Sequence, residues 1–149
     1  MMFKRIPERL NDELLDLTKK SKSVGVHGAN CSGKSFLSKE LAQLVGGTHV
    51  EVDNHLSTPR LGRTYLQQVK FDEIKDIIQK STPPIILDCF ILLDVLDKMN
   101  INVDFTFFCE RACGNMRFNP ENEGEFESYE NRHQTRKLAK QIFTLVYPN

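Results

Sequence analysis

Apolar residues recur along this chain with two periods, and the periods alternate. Residues 23–27, Ser-Val-Gly-Val-His, form a short β-branched run that predicts a buried strand. After a glycine-containing break, Leu37, Leu41, Leu44 and Val45 fall at helical spacing, and Gly46-Gly47 supplies the stop. Residues 48–52 predict a second strand ending at Asp53. Residues 54–68 hold Pro59, Gly62 and many polar groups, which predicts a long functional loop or a broken helix. Phe71, Ile74, Ile77 and Ile78 share one face of a helix over 71–80, and Pro83-Pro84 breaks it. Ile85-Ile86-Leu87-Asp88 predicts a buried third strand closed by an acid.

Apolar positions 91, 92, 95, 96 and 99 predict a helix over 90–99. Residues 103–109 predict a fourth strand, 110–118 the start of a helix, 129–139 another helix and 142–146 a last strand. Residues 119–127 are polar and acidic and contain Pro120 and Gly124, which predicts a mobile excursion. Near the start, Pro7 reads as a first-turn proline, followed by Leu10, Leu14 and Leu17 at helical spacing. That helix ends near the basic run 19–22, a solvated connection. Strands alternating with helices predict an α/β fold, a parallel sheet covered on both faces.

The break after the first strand carries the chemistry. Gly28-Ala29-Asn30-Cys31-Ser32-Gly33-Lys34-Ser35 is a complete G-x-x-x-x-G-K-[ST] phosphate-binding loop, set between a predicted strand and a predicted helix. The glycines let the backbone curl round an anion, and the curled amides point at the phosphates together with the next helix N-terminus. The expected nucleotide-binding set is Gly28, Ala29, Asn30, Cys31, Ser32, Gly33, Lys34, Ser35 and Phe36. Lys34 places a charge at the β- and γ-phosphates, and the Ser35 hydroxyl ligates Mg²⁺.

Composition narrows the class. With 149 residues there is room for one core, so 1–149 is expected to be a single domain. The chain is 40% hydrophobic and 27% charged, and its 20 basic residues balance 20 acidic ones. No overall field favours nucleic acid or an anionic membrane. Residues 1–20 are charged throughout, which speaks against a signal peptide or a membrane span. The cysteines at 31, 89, 109 and 113 have no paired zinc spacing and read as reduced thiols of a cytoplasmic protein.

In open parallel sheets, ligands bind beyond the carboxyl ends of the strands. The phosphate loop, Asp53 and Asp88 should meet there. Asp88 has the form of a second Mg²⁺-binding carboxylate, alongside the alternative of a helix-capping acid. Asp53 could position an acceptor hydroxyl and take its proton, alongside the alternative of a turn aspartate. Arg60, Arg63 and Tyr65 in the following loop could bind or stack on a substrate. His27 reads as a packed strand residue.

The loop from Gly28 to Ser35, with Ser32 before Gly33-Lys34-Ser35, resembles that of the small P-loop kinases, nearest to uridine kinase and its ribosylnicotinamide and pantothenate kinase relatives. Those kinases also carry an aspartate just after strand two, as Asp53 is here, and an acid ending strand three, where this chain has Asp88. The resemblance implies a three-layer P-loop fold with strand order 2-3-1-4-5, ATP and Mg²⁺ as cofactors, and Asp53 serving the acceptor hydroxyl. It also implies an arginine-bearing lid, expected near 111–136. Arg117 is the best positional match for its transition-state cation and Arg111 a second, but the usual Arg-Asp ending is absent. Arg132 and Arg136, four apart on one predicted helix face, could reach the phosphates on closure.

The expected activity is transfer of the γ-phosphoryl group of ATP to a hydroxyl of a small, nucleoside-like metabolite. Lys34, Asp53 and Arg117 are the expected catalytic residues, and Ser35 and Asp88 the metal ligands. The alternatives are a P-loop NTPase, a non-catalytic nucleotide-binding regulator, and a polynucleotide 5′-kinase, the last disfavoured by zero net charge.

Overall fold

A computed structural model describes residues 10–29, 32–58, 61–111 and 120–145. The elements in chain order are α1 (Asp12–Lys19), β1 (Ser23–His27), α2 (Lys34–Val45), β2 (Thr48–Glu51), a 3₁₀ turn (Val52–Asn54), α3 (Tyr65–Gln68) and α4 (Phe71–Lys80). They continue with β3 (Ile85–Asp88), α5 (Leu92–Met99), β4 (Phe105–Arg111), α6 (Pro120–His133), α7 (Thr135–Leu138) and β5 (Gln141–Leu145). The five strands make one parallel sheet in the order β2-β3-β1-β4-β5. The predicted fold class and strand order are therefore observed.

Period-two alternation in the strands builds two apolar layers. Ile85 and Leu87 of β3 pack with Ile74, Val95, Leu96 and Met99 under α4 and α5. Ile86, between them, faces the opposite layer with Val24 and Val26 of β1, Phe107 of β4, and Leu37 and Leu41 of α2. Each fully buried side chain of this size contributes about 1.5–3 kcal/mol. β1 pairs with β3 on one side and β4 on the other, so its carboxyl end opens at the middle of the sheet.

Several element boundaries differ from the sequence expectation. α1 starts at an Asn11 cap whose side chain accepts from the Leu14 amide at 2.8 Å; Pro7 lies outside the described residues. β4 spans Phe105–Arg111 rather than 103–109, so the helix expected to start at 110 does not start there. The predicted excursion over 119–127 is corrected: it falls largely within α6, which begins at Pro120. A proline is tolerated at the first helical position because its missing N–H has no helical partner there, and glutamate-rich stretches propagate helix well. The helix expected over 129–139 is broken at Gln134, whose φ of 52° is left-handed.

Candidate active site

The first turn of α2 and the carboxyl ends of β1, β2 and β3 form the site. Two glycines make the loop geometry. Gly33, preceding α2, has φ +93°, and Gly28, leaving β1, has φ +152°. A Cβ at Gly28 would lie 2.5 Å from Ser32 Oγ and 2.6 Å from the Cys109 carbonyl oxygen. Neither position accepts an ordinary side chain. The loop closes with Ser32 N–H donating to the Ala29 carbonyl at 3.2 Å. Ser32 Oγ is buried with no hydrogen-bond partner among the described residues. An orphaned hydroxyl in this place suits an anion with accepting oxygens. Asn30, Cys31 and Arg117 lie outside the described residues, as do Arg60 and Cys113.

Lys34 is 5% exposed, and among the described residues it forms no ion pair with a carboxylate. Ser38 Oγ donates back to the Lys34 carbonyl at 2.7 Å and ties down the first turn of α2. Ser35 Oγ is the hub of the acidic side. It lies 2.9 Å from Glu51 Oε1 and 3.4 Å from Asp88 Oδ1. Glu51 and Asp88 are register partners on β2 and β3, so two carboxylates end adjacent strands on either side of one hydroxyl. One hydroxyl proton cannot satisfy both. Like charges directly opposite in a sheet repel, and a divalent cation with a preference for oxygen would relieve that. Asp88, 1% exposed, is also held by the imidazole of His49 through Oδ2. A second partner of this kind fixes a ligating carboxylate in place.

The donor set of Ser35, Glu51 and Asp88 therefore fits Mg²⁺, which is commonly held by one or two carboxylates plus phosphates and water. The sequence reading named Ser35 and Asp88 as ligands and did not name Glu51. Its available signal was an acid at the last position of a strand, two residues before Asp53.

Asp53 stands apart from this cluster. It lies in the 3₁₀ turn and accepts a hydrogen bond from the phenol of Tyr65. Tyr65 is 2% exposed and edge-on to Phe90, with ring centroids 4.5 Å apart. This corrects the expectation that Tyr65 stacks on a substrate: its ring is core and only its hydroxyl reaches the site. Burial pushes the phenol far above its ordinary range, reinforced by Cys89 and by Asp53, so it remains a protonated donor. The Cys89 thiol, pushed up to about 12 chiefly by burial, donates to the Tyr65 hydroxyl at 3.7 Å.

The arginines expected on one face of a single helix do not share one. Arg132 lies in α6 and Arg136 in α7, across the break at Gln134. Arg132 forms a two-pronged pair with Asp94 of α5, at 3.1 and 2.8 Å, and His133 joins at 2.8 Å. Burial alone would raise Asp94, but the bonds from Arg132 and His133 hold it below the usual carboxylate range. Arg136 pairs with Glu110 of β4 at 3.1 Å through two nitrogens. Both guanidinium groups thus serve as clamps between elements. The side chain of Arg111 lies outside the described residues.

His27, the last residue of β1, is fully buried; its Nδ1 lies 3.0 Å from the Tyr129 hydroxyl of α6, which accepts from the Leu93 amide at 3.0 Å. Burial, and secondarily His133, lower the His27 pKa to about 3, so the ring is neutral. It packs, as expected, and ties the root of the phosphate loop to α6. A cavity of about 470 Å³, lined by Lys22, Ile85, Met99 and Ile101, opens toward the starts of β1 and β3 and is no part of this site.

No protein-family model matches the chain, and no curated protein matches it. Solved structures do. One is a possible uridine kinase from Bacillus stearothermophilus, at a TM-score of 0.55 and 14% identity, covering 87% of this chain and 96% of that one. Another is shikimate kinase from Bacteroides thetaiotaomicron, at a TM-score of 0.51 and 14% identity, covering 83% and 86%. With the loop geometry and the strand order 2-3-1-4-5, these similarities show that the chain has the fold of the small-molecule P-loop kinases.

Proposed function

We propose that this protein is an ATP- and Mg²⁺-dependent phosphotransferase that moves the γ-phosphoryl group to a hydroxyl of a small, nucleoside-like metabolite. One observation carries the reading: the acids of the site fall into two separate groups. Glu51 and Asp88 converge on Ser35, while Asp53 is held separately by Tyr65 with its other oxygen, Oδ2, unbonded among the described residues. The first group suits a metal with phosphates, and the second suits an incoming hydroxyl whose proton must be taken, with the transfer screen below separating that hydroxyl from water.

In this reading the amides of residues 28–35 cradle the phosphates, and Lys34 balances charge on the β- and γ-oxygens. Ser35, Glu51 and Asp88 hold Mg²⁺, which neutralises phosphate charge when bound. Asp53 orients the acceptor and takes its proton on Oδ2. The acceptor oxygen bonds to the γ-phosphorus as the bond to the β,γ-bridging oxygen breaks, and that oxygen leaves with ADP. Arg117, outside the described residues, is the proposed cation for the transition state. The single domain, its closing segment near 111–136 and a cytoplasmic location belong to the same proposal. Among the described residues no helix is long and apolar enough to cross a membrane.

The test is a transfer screen with Mg²⁺-ATP against nucleosides, nucleotides, vitamins and sugars, read by product mass. An acceptor heavier by one phosphoryl group is expected. ATP hydrolysis that stays the same whatever acceptor is added would overturn the reading in favour of an NTPase.

A further inference from the structure

We propose, resting on the phosphotransferase reading above, that Tyr65 is the positioning residue of the acceptor site, holding the Asp53 carboxylate in place for the incoming hydroxyl. The unit that carries Tyr65 is built for fixed placement. Thr64 and Gln67 close the start of α3 reciprocally: Thr64 N–H donates to Gln67 Oε1 at 2.8 Å and Gln67 N–H donates to Thr64 Oγ1 at 3.2 Å. Such a capping box satisfies two otherwise orphaned amides. The two ends of the loop are clipped together by an antiparallel bridge between Leu56 and Val69. Ser57 N–H donates to the Gln68 carbonyl at 2.7 Å, and Lys70 N–H donates to the His55 carbonyl at 2.8 Å. Asp53 and Tyr65 thus belong to one clipped segment leaving β2.

Both capacities of the Tyr65 hydroxyl are used. It donates its one proton to Asp53 Oδ1 and accepts from Cys89 Sγ. The ring cannot swing away, because Phe90 lies edge-on beneath it and Phe126 of α6 packs on Phe90 at 6.4 Å. The backbone N–H of Tyr65 also donates to Glu125 Oε1 of α6 at 2.8 Å, so the placement of α6 is felt at the same residue. Of the two Asp53 oxygens, Oδ1 is committed and Oδ2 is offered. A carboxylate anchored through one oxygen has its orientation set and can still accept from an incoming hydroxyl, which is the fixed placement in-line transfer requires.

The test uses the full-length protein and Tyr65→Phe, which keeps the ring against Phe90 and removes only the hydroxyl. For an acceptor found in the transfer screen, kcat should fall about 10- to 100-fold, the scale of a misplaced reacting group. ATP affinity and the melting temperature should stay near wild type. Unchanged kcat, or a loss of melting temperature and ATP affinity in step with kcat, would overturn the proposal. A second measurement needs no turnover. The Raman ring doublet of Tyr65, isolated as wild type minus Tyr65→Phe, should report a strongly donating phenol that weakens in Asp53→Asn. A Tyr65 signal indifferent to Asp53→Asn overturns the pairing whatever the activity. Absence of transfer from the wild type to any acceptor overturns the phosphotransferase reading, and the acceptor role of Tyr65 with it, even if the Raman pairing is seen.

Discussion

The hydroxyl of Ser35 lies 2.9 Å from the carboxylate of Glu51. Glu51 is also the register partner of Asp88, so under the proposed function it would share the cation with Asp88 and Ser35. Replacing it should separate metal from nucleotide. In Glu51→Gln, affinity for Mg²⁺-nucleotide should fall about 10- to 100-fold, the usual cost of disturbing a metal site's supporting carboxylate. Affinity for nucleotide in EDTA should be unchanged. Calorimetry with and without EDTA checks this, and equal losses in both would place Glu51 outside the cation site.

Lys34, buried at the start of α2, is the residue that the proposed function assigns to the phosphates. Lys34→Ala should weaken nucleotide binding by about 1.5–3 kcal/mol, the worth of a charge-assisted hydrogen bond. Titration calorimetry measures it, and unchanged binding would remove the loop from the account.

His27 makes stability depend on pH in a defined window. Its folded pKa is lowered from 6.5 to about 3, chiefly by burial. Above pH 6.5 both folded and unfolded states carry a neutral ring. Between 6.5 and about 3 only the unfolded state binds the proton, so stability falls as pH falls, by about 1.4 kcal/mol per pH unit. Denaturant melts across this window should be steeper in pH for wild type than for His27→Gln, by one proton. Equal slopes would show that His27 is not held neutral.

The two-pronged Arg132–Asp94 pair fastens α6 to α5. Asp94→Asn should speed amide exchange in 124–133 while leaving β1 and β3 protected, because such exposed links govern local opening rather than global unfolding. Hydrogen exchange read by mass spectrometry decides it, and unchanged exchange in α6 would mean that other contacts hold the helix.

The sheet was legible because its strands are short apolar runs set between helical periods, and the phosphate loop because its spacing is specific. The strand order came from the family resemblance, since alternation alone allows others. Glu51 was not legible, because a glutamate ending Thr-His-Val-Glu reads as polar strand until β2 is paired with β3 in register. Pro120 was read as a breaker, although at the first position of a helix it is compatible with one. Arg132 and Arg136 are four apart in sequence, but the left-handed Gln134 between them ends one helix before the next begins. Tyr65 was read by its loop, and only tertiary packing against Phe90 turned the ring inward and aimed its hydroxyl at Asp53.

The measurement that tests the central claim most directly is made on Asp53→Asn: nucleotide affinity and single-turnover phosphoryl transfer on the same protein. Asp53 stands outside the Ser35, Glu51 and Asp88 cluster, so affinity for Mg²⁺-ATP should be nearly that of the wild type. Transfer to the acceptor should fall about 10²- to 10⁴-fold, the usual worth of a positioned general base. Full transfer activity in this variant would contradict the account and put the acceptor base elsewhere, with Asp72 at the start of α4 the next residue to test.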